Sequence, residues 1–270
     1  MEESNEHGLS RDIPDPVKRE VRQRSGFGCV VCGGAVYQYE HVRPPFSEAT
    51  EHRAEGITLL CGGCHDRKTR RILSVESVLG SMKHPKSREQ GFSFGPFDVQ
   101  GHPDVLVGPF RAIKTKTVIR MFGETILGVD APEELGGPFR LSAHLRDRDG
   151  NTTLSVQQNE WRTPSANWDV EVVGQTITVR RGAGHIAVKL RTDPPHALIV
   201  ERLDMIYRGV RLYCSESEGL VVQYPSGKQF RLYAATGEEC VAGIDVDADK
   251  FTVGYMCKRM HIGGITSSRA

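Results

Sequence analysis

Four of the seven cysteines fall into two Cys-x-x-Cys pairs that are separated by 28 residues. A structural zinc ion is held by four ligands in a tetrahedron, and each pair can supply two thiolates from one tight bend. Gly33-Gly34 and Gly62-Gly63 allow the backbone to make such bends. Redox chemistry or plain burial is the alternative for cysteines, but two matched pairs favour zinc. The predicted structural zinc ligands are Cys29, Cys32, Cys61 and Cys64.

Three residues beside these pairs have the types that metal-dependent hydrolysis needs. Glu40 and His41 end the stretch "VYQYEHV", whose alternation predicts a strand, and His65 directly follows the last cysteine of the second pair. An imidazole titrates near neutrality and can take a proton from water, whereas a carboxylate and an imidazole together suit a divalent cation. Taken one at a time, His41 could be a core histidine, Glu40 a strand-surface charge and His65 a helix cap.

In this order and spacing, the residues resemble the HNH endonucleases, the ββα-metal nucleases, in their zinc-stapled form. The family outline is a Cys-x-x-Cys, a strand ending in Asp/Glu-His, a loop, and then (N)-x-x-x-L-C-x-x-C-H-x-x-K. This chain has "CVVC", "YEHV" and "GITLLCGGCHDRK", within residues 15–80. The resemblance implies that His41 is the general base. It also implies that Glu40 and His65 hold a catalytic divalent ion, Mg²⁺ or else Mn²⁺ or Ni²⁺.

The chain departs from the outline at one position. The family asparagine would stand five residues before Cys61, where this chain has Gly56. Glycine can supply the turn but no side chain. His52, four residues earlier, is a candidate substitute as a metal or phosphate ligand, and an exposed loop histidine is the equal alternative.

A run of cations follows His65. Residues 65–90 contain seven Lys or Arg and three acids, although the whole chain has a net charge of only +1. On a helix starting near Cys64, Arg67, Lys68 and Arg71 would share one broad face. We expect this face to bind the phosphates of duplex DNA without reading bases, although most charge runs are solvated surface.

The fold class predicted by these patterns is α+β, with two domains and a polar tail. Residues 1–14 form a tail that we expect to be disordered, residues 15–83 the zinc-stapled ββα-metal domain, and residues 84–97 a linker. From residue 98 to 270, short alternating runs recur at roughly ten-residue spacing between turn residues, which is typical of an all-β domain. Such a domain would be a sandwich or a stacked β architecture.

The composition of the chain also indicates the compartment in which it works. The sequence has no 18-residue apolar run, so we expect no membrane contact, and its polar start predicts a cytoplasmic protein. In a reducing compartment, Cys214, Cys240 and Cys257 should act as small buried hydrophobes.

The predicted function is a metal-dependent DNA endonuclease. By family-level analogy, it would be a gated effector of a bacterial defence system. Residues 98–270 would then dock a protein partner, self-associate, or sense a ligand. The alternative is a non-catalytic, zinc-stabilised module that binds nucleic acid or acts as an adaptor.

Overall fold

The chain divides into two compact units, and the computed structural model describes residues 4–269. The first unit comprises Met1–Gly95 and Thr163–Val172, and the second comprises Pro96–Arg162 and Val173–Ala270. Strands account for 48% of the residues and helices for 15%, so the protein is mostly β.

The first unit contains the helices. Its elements in chain order are α1 (Asp15–Ser25), β1 (Gln38–His41), β2 (Ile57–Leu60), α2 (Gly62–Thr69), α3 (Val75–Lys83), α4 (Lys86–Gln90) and β3 (Phe92–Pro96). Residues 84–97, which the sequence predicts as a linker, therefore contain a short helix and a strand. Residues 163–172, which it assigns to the β domain, belong to the first unit.

Strand β2 is buried along its whole length because both of its faces are covered. It pairs with β1 in an antiparallel register that places Glu40 opposite Thr58 and His41 opposite Ile57. Ile57 and Leu59 pack in a cluster with Val21 of α1, whereas Leu60 packs with Cys29, Cys64 and Val78 of α3. Since strand side chains alternate, Glu40 is directed to the side of α2 and α3, and His41 to the side of α1.

A buried ion pair ties α1 to residues 163–172. Arg22 is 3% exposed, Asp169 is fully buried, and two hydrogen bonds of 2.8 Å join the guanidinium to the carboxylate. Arg22 also donates to Tyr39 Oη at 2.9 Å and to Glu171 Oε1 at 3.0 Å. A buried guanidinium needs this many acceptors, because an unpaired buried charge is strongly destabilising.

The remaining strands run from residue 104 to residue 269. They are β4 (Asp104–Val107), β5 (Phe110–Ile113), β6 (Thr117–Met121), β7 (Glu124–Asp130), β8 (Arg140–Arg146), β9 (Thr152–Gln157), β10 (Glu160–Pro164), β11 (Asp169–Val173), β12 (Thr176–Gly182), β13 (His185–Asp193), β14 (Ala197–Tyr207), β15 (Val210–Ser215), β16 (Gly219–Gln223), β17 (Lys228–Glu238), β18 (Ala242–Val246), β19 (Phe251–Tyr255) and β20 (Arg259–Arg269).

Strands of the second unit form two sheets that contact each other. One contains the order β19-β18-β6-β7-β8-β9-β10, and the other the order β12-β13-β14-β15-β16-β17, with β20 beside β17. Strand β14 contacts β8, β13 contacts β9, and β17 contacts β19. The alternating runs of the sequence therefore form an all-β unit whose inward positions are the buried ones.

Two hairpins fill the space between the long strands β14 and β17. Strands β15 and β16 bridge one part of this space, whereas β4 and β5 bridge another by pairing in parallel with β14 and β17. The two hairpins meet at Gly108, where an added Cβ would lie 2.9 Å from Cys214 Cβ. Gly108 also has a φ of 52°, so this junction requires glycine.

The three cysteines outside the Cys-x-x-Cys pairs comprise one free thiol and one disulfide. Cys214 is a buried free thiol, as the sequence predicts. Cys240 and Cys257 are instead joined in a disulfide between the start of β18 and the end of β19. The prediction that all three are free hydrophobes is wrong for this pair, because the pairing of β18 with β19 brings the two chain segments together.

Candidate metal centre and histidine pocket

Each cysteine pair is positioned by its own local turn. In the first, Cys29 N donates to Gly34 O and Gly33 N donates back to Cys29 O, both at 2.8 Å, with Gly33 at a φ of 85°. In the second, Cys61 caps α2, since its Sγ accepts a hydrogen bond from Cys64 N at 3.4 Å. Both turns are local, so the sequence alone could predict them.

The four sulfur atoms converge. Every Sγ of the four cysteines lies within 4.8 Å of the others, and Cys32 and Cys61 are 3.6 Å apart. Tetrahedral zinc with bonds of about 2.3 Å requires sulfur atoms about 3.8 Å apart, so the cluster fits a structural metal ion such as zinc.

The protonation of these thiols is consistent with a need for a cation. A hydrogen bond from Cys32 lowers the pKa of Cys29 to about 5, which makes it a thiolate at neutral pH. Burial raises the pKa of Cys64 to about 12, and the negative charge of Cys29 acts in the same direction. A bound metal ion would allow all four cysteines to be thiolates, because its positive charge would offset the repulsion between the sulfur atoms.

Glu40 of β1 contacts two residues of α2. Its Oε2 lies 3.1 Å from His65 Nε2, and its Oε1 accepts a hydrogen bond from Lys68 Nζ at 2.6 Å. His65 follows Cys64 directly in α2, so the cysteine cluster holds it at this distance from the strand. A carboxylate and an imidazole this close can serve as two ligands of one divalent cation. The other carboxylate oxygen, Oε1, already accepts the hydrogen bond from Lys68.

His41 is oriented by a second histidine. His41 Nε2 lies 3.1 Å from His52 Nδ1, and His52 Nε2 lies 2.9 Å from the carbonyl oxygen of Ser10. A carbonyl oxygen can only accept, so His52 Nε2 carries a proton and, in the neutral ring, Nδ1 accepts. His41 therefore donates from Nε2, and the lone pair of its neutral ring lies on Nδ1.

Glu40 and His41 line one pocket of about 450 Å³, although they point to opposite faces of β1. The pocket also includes Arg11 and Phe46, and the Arg11 guanidinium lies 4.6 Å from the Phe46 ring centre. Burial lowers the pKa of His41 from its ordinary value. His41 is therefore neutral at pH 7 and can accept a proton.

Residues 1–14 are predicted as a disordered tail, of which residues 1–3 lie outside the described range. Arg11, Asp12 and Ile13 line this pocket. Asn5 Nδ2 donates to the carbonyl oxygens of Phe46 and Ala49, at 2.6 and 2.7 Å, and Ser10 holds His52 as described above. Three residues in or beside the pocket could not be predicted from the sequence: Ser10, Arg11 and Phe46. A backbone carbonyl, a single arginine and a loop aromatic belong to no sequence motif.

Gly56 contacts the end of β1 too closely for any side chain. Its carbonyl oxygen accepts from Val42 N at 2.8 Å, and an added Cβ would lie 2.5 Å from Arg43 O. An asparagine in this place would thus require a different backbone. In this chain His52, on the same loop, provides the side chain that contacts His41.

The predicted phosphate-binding face is only partly a helical face. Helix α2 ends at Thr69, and Arg71 lies beyond it with a φ of 61°, so Arg71 does not share a helix face with Arg67 and Lys68. Lys68 is half-buried and bound to Glu40, whereas Arg67 is exposed. The early end of the helix is the reason that the three cations do not align.

No protein-family model, curated protein or solved structure matches this chain. Within residues 4–269, no helix is both long and apolar enough to cross a membrane.

Proposed function

We propose that the first unit is a ββα-metal nuclease domain of the HNH type that hydrolyses phosphodiester bonds in DNA. The observation that carries the proposal is the 3.1 Å contact between Glu40 Oε2 and His65 Nε2, in the same hairpin-helix element as the cysteine cluster and next to His41. A strand and a helix thereby present a metal-ligand pair and a neutral histidine together.

In this proposal His41 is the general base. Its Nδ1 accepts a proton from the attacking water, while His52 accepts the hydrogen bond from Nε2 and fixes the ring. Positive charge develops on His41 as it takes the proton, and Glu40 is the adjacent carboxylate that can offset it. A divalent cation held by Glu40 and His65 would supply stabilisation of charge on the scissile phosphate.

Cations around the pocket would bind the DNA backbone. Arg11 lines the pocket and Arg67 is exposed on α2. Arg71, beyond the helix, is a further phosphate contact in this proposal. Contacts of this kind position a duplex but carry no sequence information.

A cleavage assay with supercoiled plasmid tests the proposal. The wild type and the variants His41→Ala and His65→Ala would be compared in Mg²⁺, Mn²⁺, Ni²⁺ or EDTA, with His84→Ala as the matched control because His84 is exposed on the same unit. We expect metal-dependent cleavage by the wild type and the control, and a loss of at least a hundredfold in the other two variants. Undiminished cleavage by pure His41→Ala protein would refute the assigned base.

One observation favours a second candidate function, a zinc module that binds nucleic acid without cutting it. The Lys68 ammonium pairs with Glu40 at 2.6 Å, and this ion pair competes with a divalent cation for the carboxylate. The second candidate predicts salt-sensitive binding to duplex DNA with no cleavage in any of the metals. If Lys68→Ala then acquired cleavage, the competition would be established.

For the second unit we propose partner docking or self-association, within a defence system as the gated-effector analogy suggests. Strand β20 pairs with β17, and Ile262 and Ile265 on β20 are 45% and 44% exposed. A long strand with exposed apolar residues is suited to pairing with another chain. Measurement of the mass in solution tests self-association.

A further inference from the structure

The second unit contains a strongly cationic pocket that the proposed nuclease does not use. It has a volume of about 190 Å³ and lies among the turn between β8 and β9, the hairpin of β12 and β13, and strands β14 and β15. Its arginines are Arg148, Arg181, Arg202 and Arg211.

Two of these arginines are held in place by one acid. Asp204 accepts hydrogen bonds from Arg148 Nε at 2.7 Å and from Arg211 Nε at 2.8 Å. Burial opposes the ionisation of Asp204, yet these two guanidinium groups keep its pKa below the usual range. The Arg211 guanidinium also lies 4.1 Å from the ring centre of Tyr213. Both cations are therefore preorganised, which reduces the entropy lost when a ligand binds.

The other two arginines lack such partners. Neither Arg181 nor Arg202 forms a side-chain hydrogen bond or ion pair with another residue in the described range 4–269. With Asp204 and Glu218 as the acids of the pocket, four guanidinium groups and two carboxylates leave a net charge of +2 when His185 is neutral. Like charges gathered in a concave site repel each other, and an anion of charge −2 would balance them.

We propose that this pocket binds a dianionic phosphate group, either as free phosphate or as the terminal phosphate of a small phosphomonoester. Guanidinium groups match phosphate oxygens with paired hydrogen bonds, and a phosphate dianion has the charge that the pocket lacks. The lining is mostly polar, with Ser215 and the ring of Tyr213 beside the arginines. Phosphodiesters within DNA carry one negative charge each, so a terminal phosphate fits the charge better. Phosphate binding in this pocket does not depend on nuclease activity of the first unit.

Isothermal titration calorimetry on the full chain tests the proposal with two probes, inorganic phosphate and adenosine 5′-monophosphate. The informative variants are Arg181→Ala and Arg202→Ala, because neither removes a side-chain hydrogen bond or ion pair within residues 4–269. The matched control is Lys250→Ala, which deletes one positive charge from the exposed turn between β18 and β19 of the same unit.

We expect saturable binding of at least one probe by the wild type and by Lys250→Ala, and at least tenfold weaker binding by each arginine variant. Tighter binding of the nucleotide would identify a phosphomonoester as the source, whereas equal affinities would identify free phosphate. Arginine variants with the affinity of the wild type would overturn the proposal. A wild type that binds neither probe would overturn it as well.

Discussion

His41 and His52 share a hydrogen bond of 3.1 Å between Nε2 and Nδ1, and Ser10 O anchors the second ring. In this relay one backbone carbonyl determines which nitrogen of His41 is basic. In the proposed mechanism His52 orients His41 through this hydrogen bond, and the metal or phosphate contact considered from the sequence stays a prediction.

The first prediction concerns His52. His52→Ala should lower kcat for plasmid cleavage by roughly tenfold to a hundredfold, because partners that orient a functional histidine have effects of this size. KM should change little, and His52→Gln, which retains an acceptor, should keep more activity than His52→Ala. A structural role alone would give equal losses in both variants.

The second prediction concerns the cysteine cluster. Cys61→Ser should abolish binding of one zinc ion per chain, because Cys61 both contributes to the cluster and caps α2. Metal content measured by mass spectrometry checks this, with Cys214→Ser as the matched control from outside the cluster. Equal zinc content in both variants would disprove the assignment of the ligands.

The third prediction concerns the buried ion pair of α1. Asp169→Ala should reduce the free energy of unfolding by about 3–5 kcal/mol, since it removes the fully buried carboxylate that accepts two hydrogen bonds from Arg22 and leaves only the half-buried Glu171 as a charged partner. Glu171→Gln, at the more exposed end of the network, should cost less than about 1 kcal/mol. Urea denaturation measures both, and similar losses would show that burial of Asp169 is not decisive.

The fourth prediction concerns Gly56. Gly56→Ala should destabilise the first unit by about 1–3 kcal/mol, because the new Cβ would collide with Arg43 O. Gly62→Ala is the control, since an added Cβ there has no neighbour within 4 Å. A neutral Gly56→Ala variant would mean that the loop relaxes without cost.

The fifth prediction is a pH dependence. The pKa of Asp204 is lower in the folded chain than its unfolded value of about 3.9, so its ionised form stabilises the fold above that pH. Asp204→Asn should thus lower the free energy of unfolding at pH 7 by about 1–3 kcal/mol, the range for hydrogen bonds to charged groups. The difference should shrink as the pH falls below about 4. Asp149→Asn, on an exposed turn, should be neutral throughout.

Much of the local structure could be predicted from the sequence, because its determinants lie within a few residues. The first cysteine turn needs two cysteines and Gly33, which has a φ of 85°, and the second is the first turn of α2 with Cys61 as its cap. The alternating runs from "KTVIRMF" to "QFRLYAA" correspond to strands for the same reason, as a period of two reports burial of one strand face. The order of Glu40, His41 and His65 around the cysteines likewise predicts a candidate site, and in the fold Glu40 Oε2 lies 3.1 Å from His65 Nε2.

Contacts between residues that are far apart in the sequence could be seen only in the tertiary structure. Asp169 lies 147 residues from Arg22, and Ser10 lies 42 residues from His52; no period or spacing connects either pair. The parallel pairing of β4 with β14 and of β5 with β17 is also long-range, and so is the convergence of four arginines on one pocket. These contacts arise because every apolar strand face must be buried and every buried charge must be paired in the same structure. Both requirements depend on the whole fold and not on any local segment.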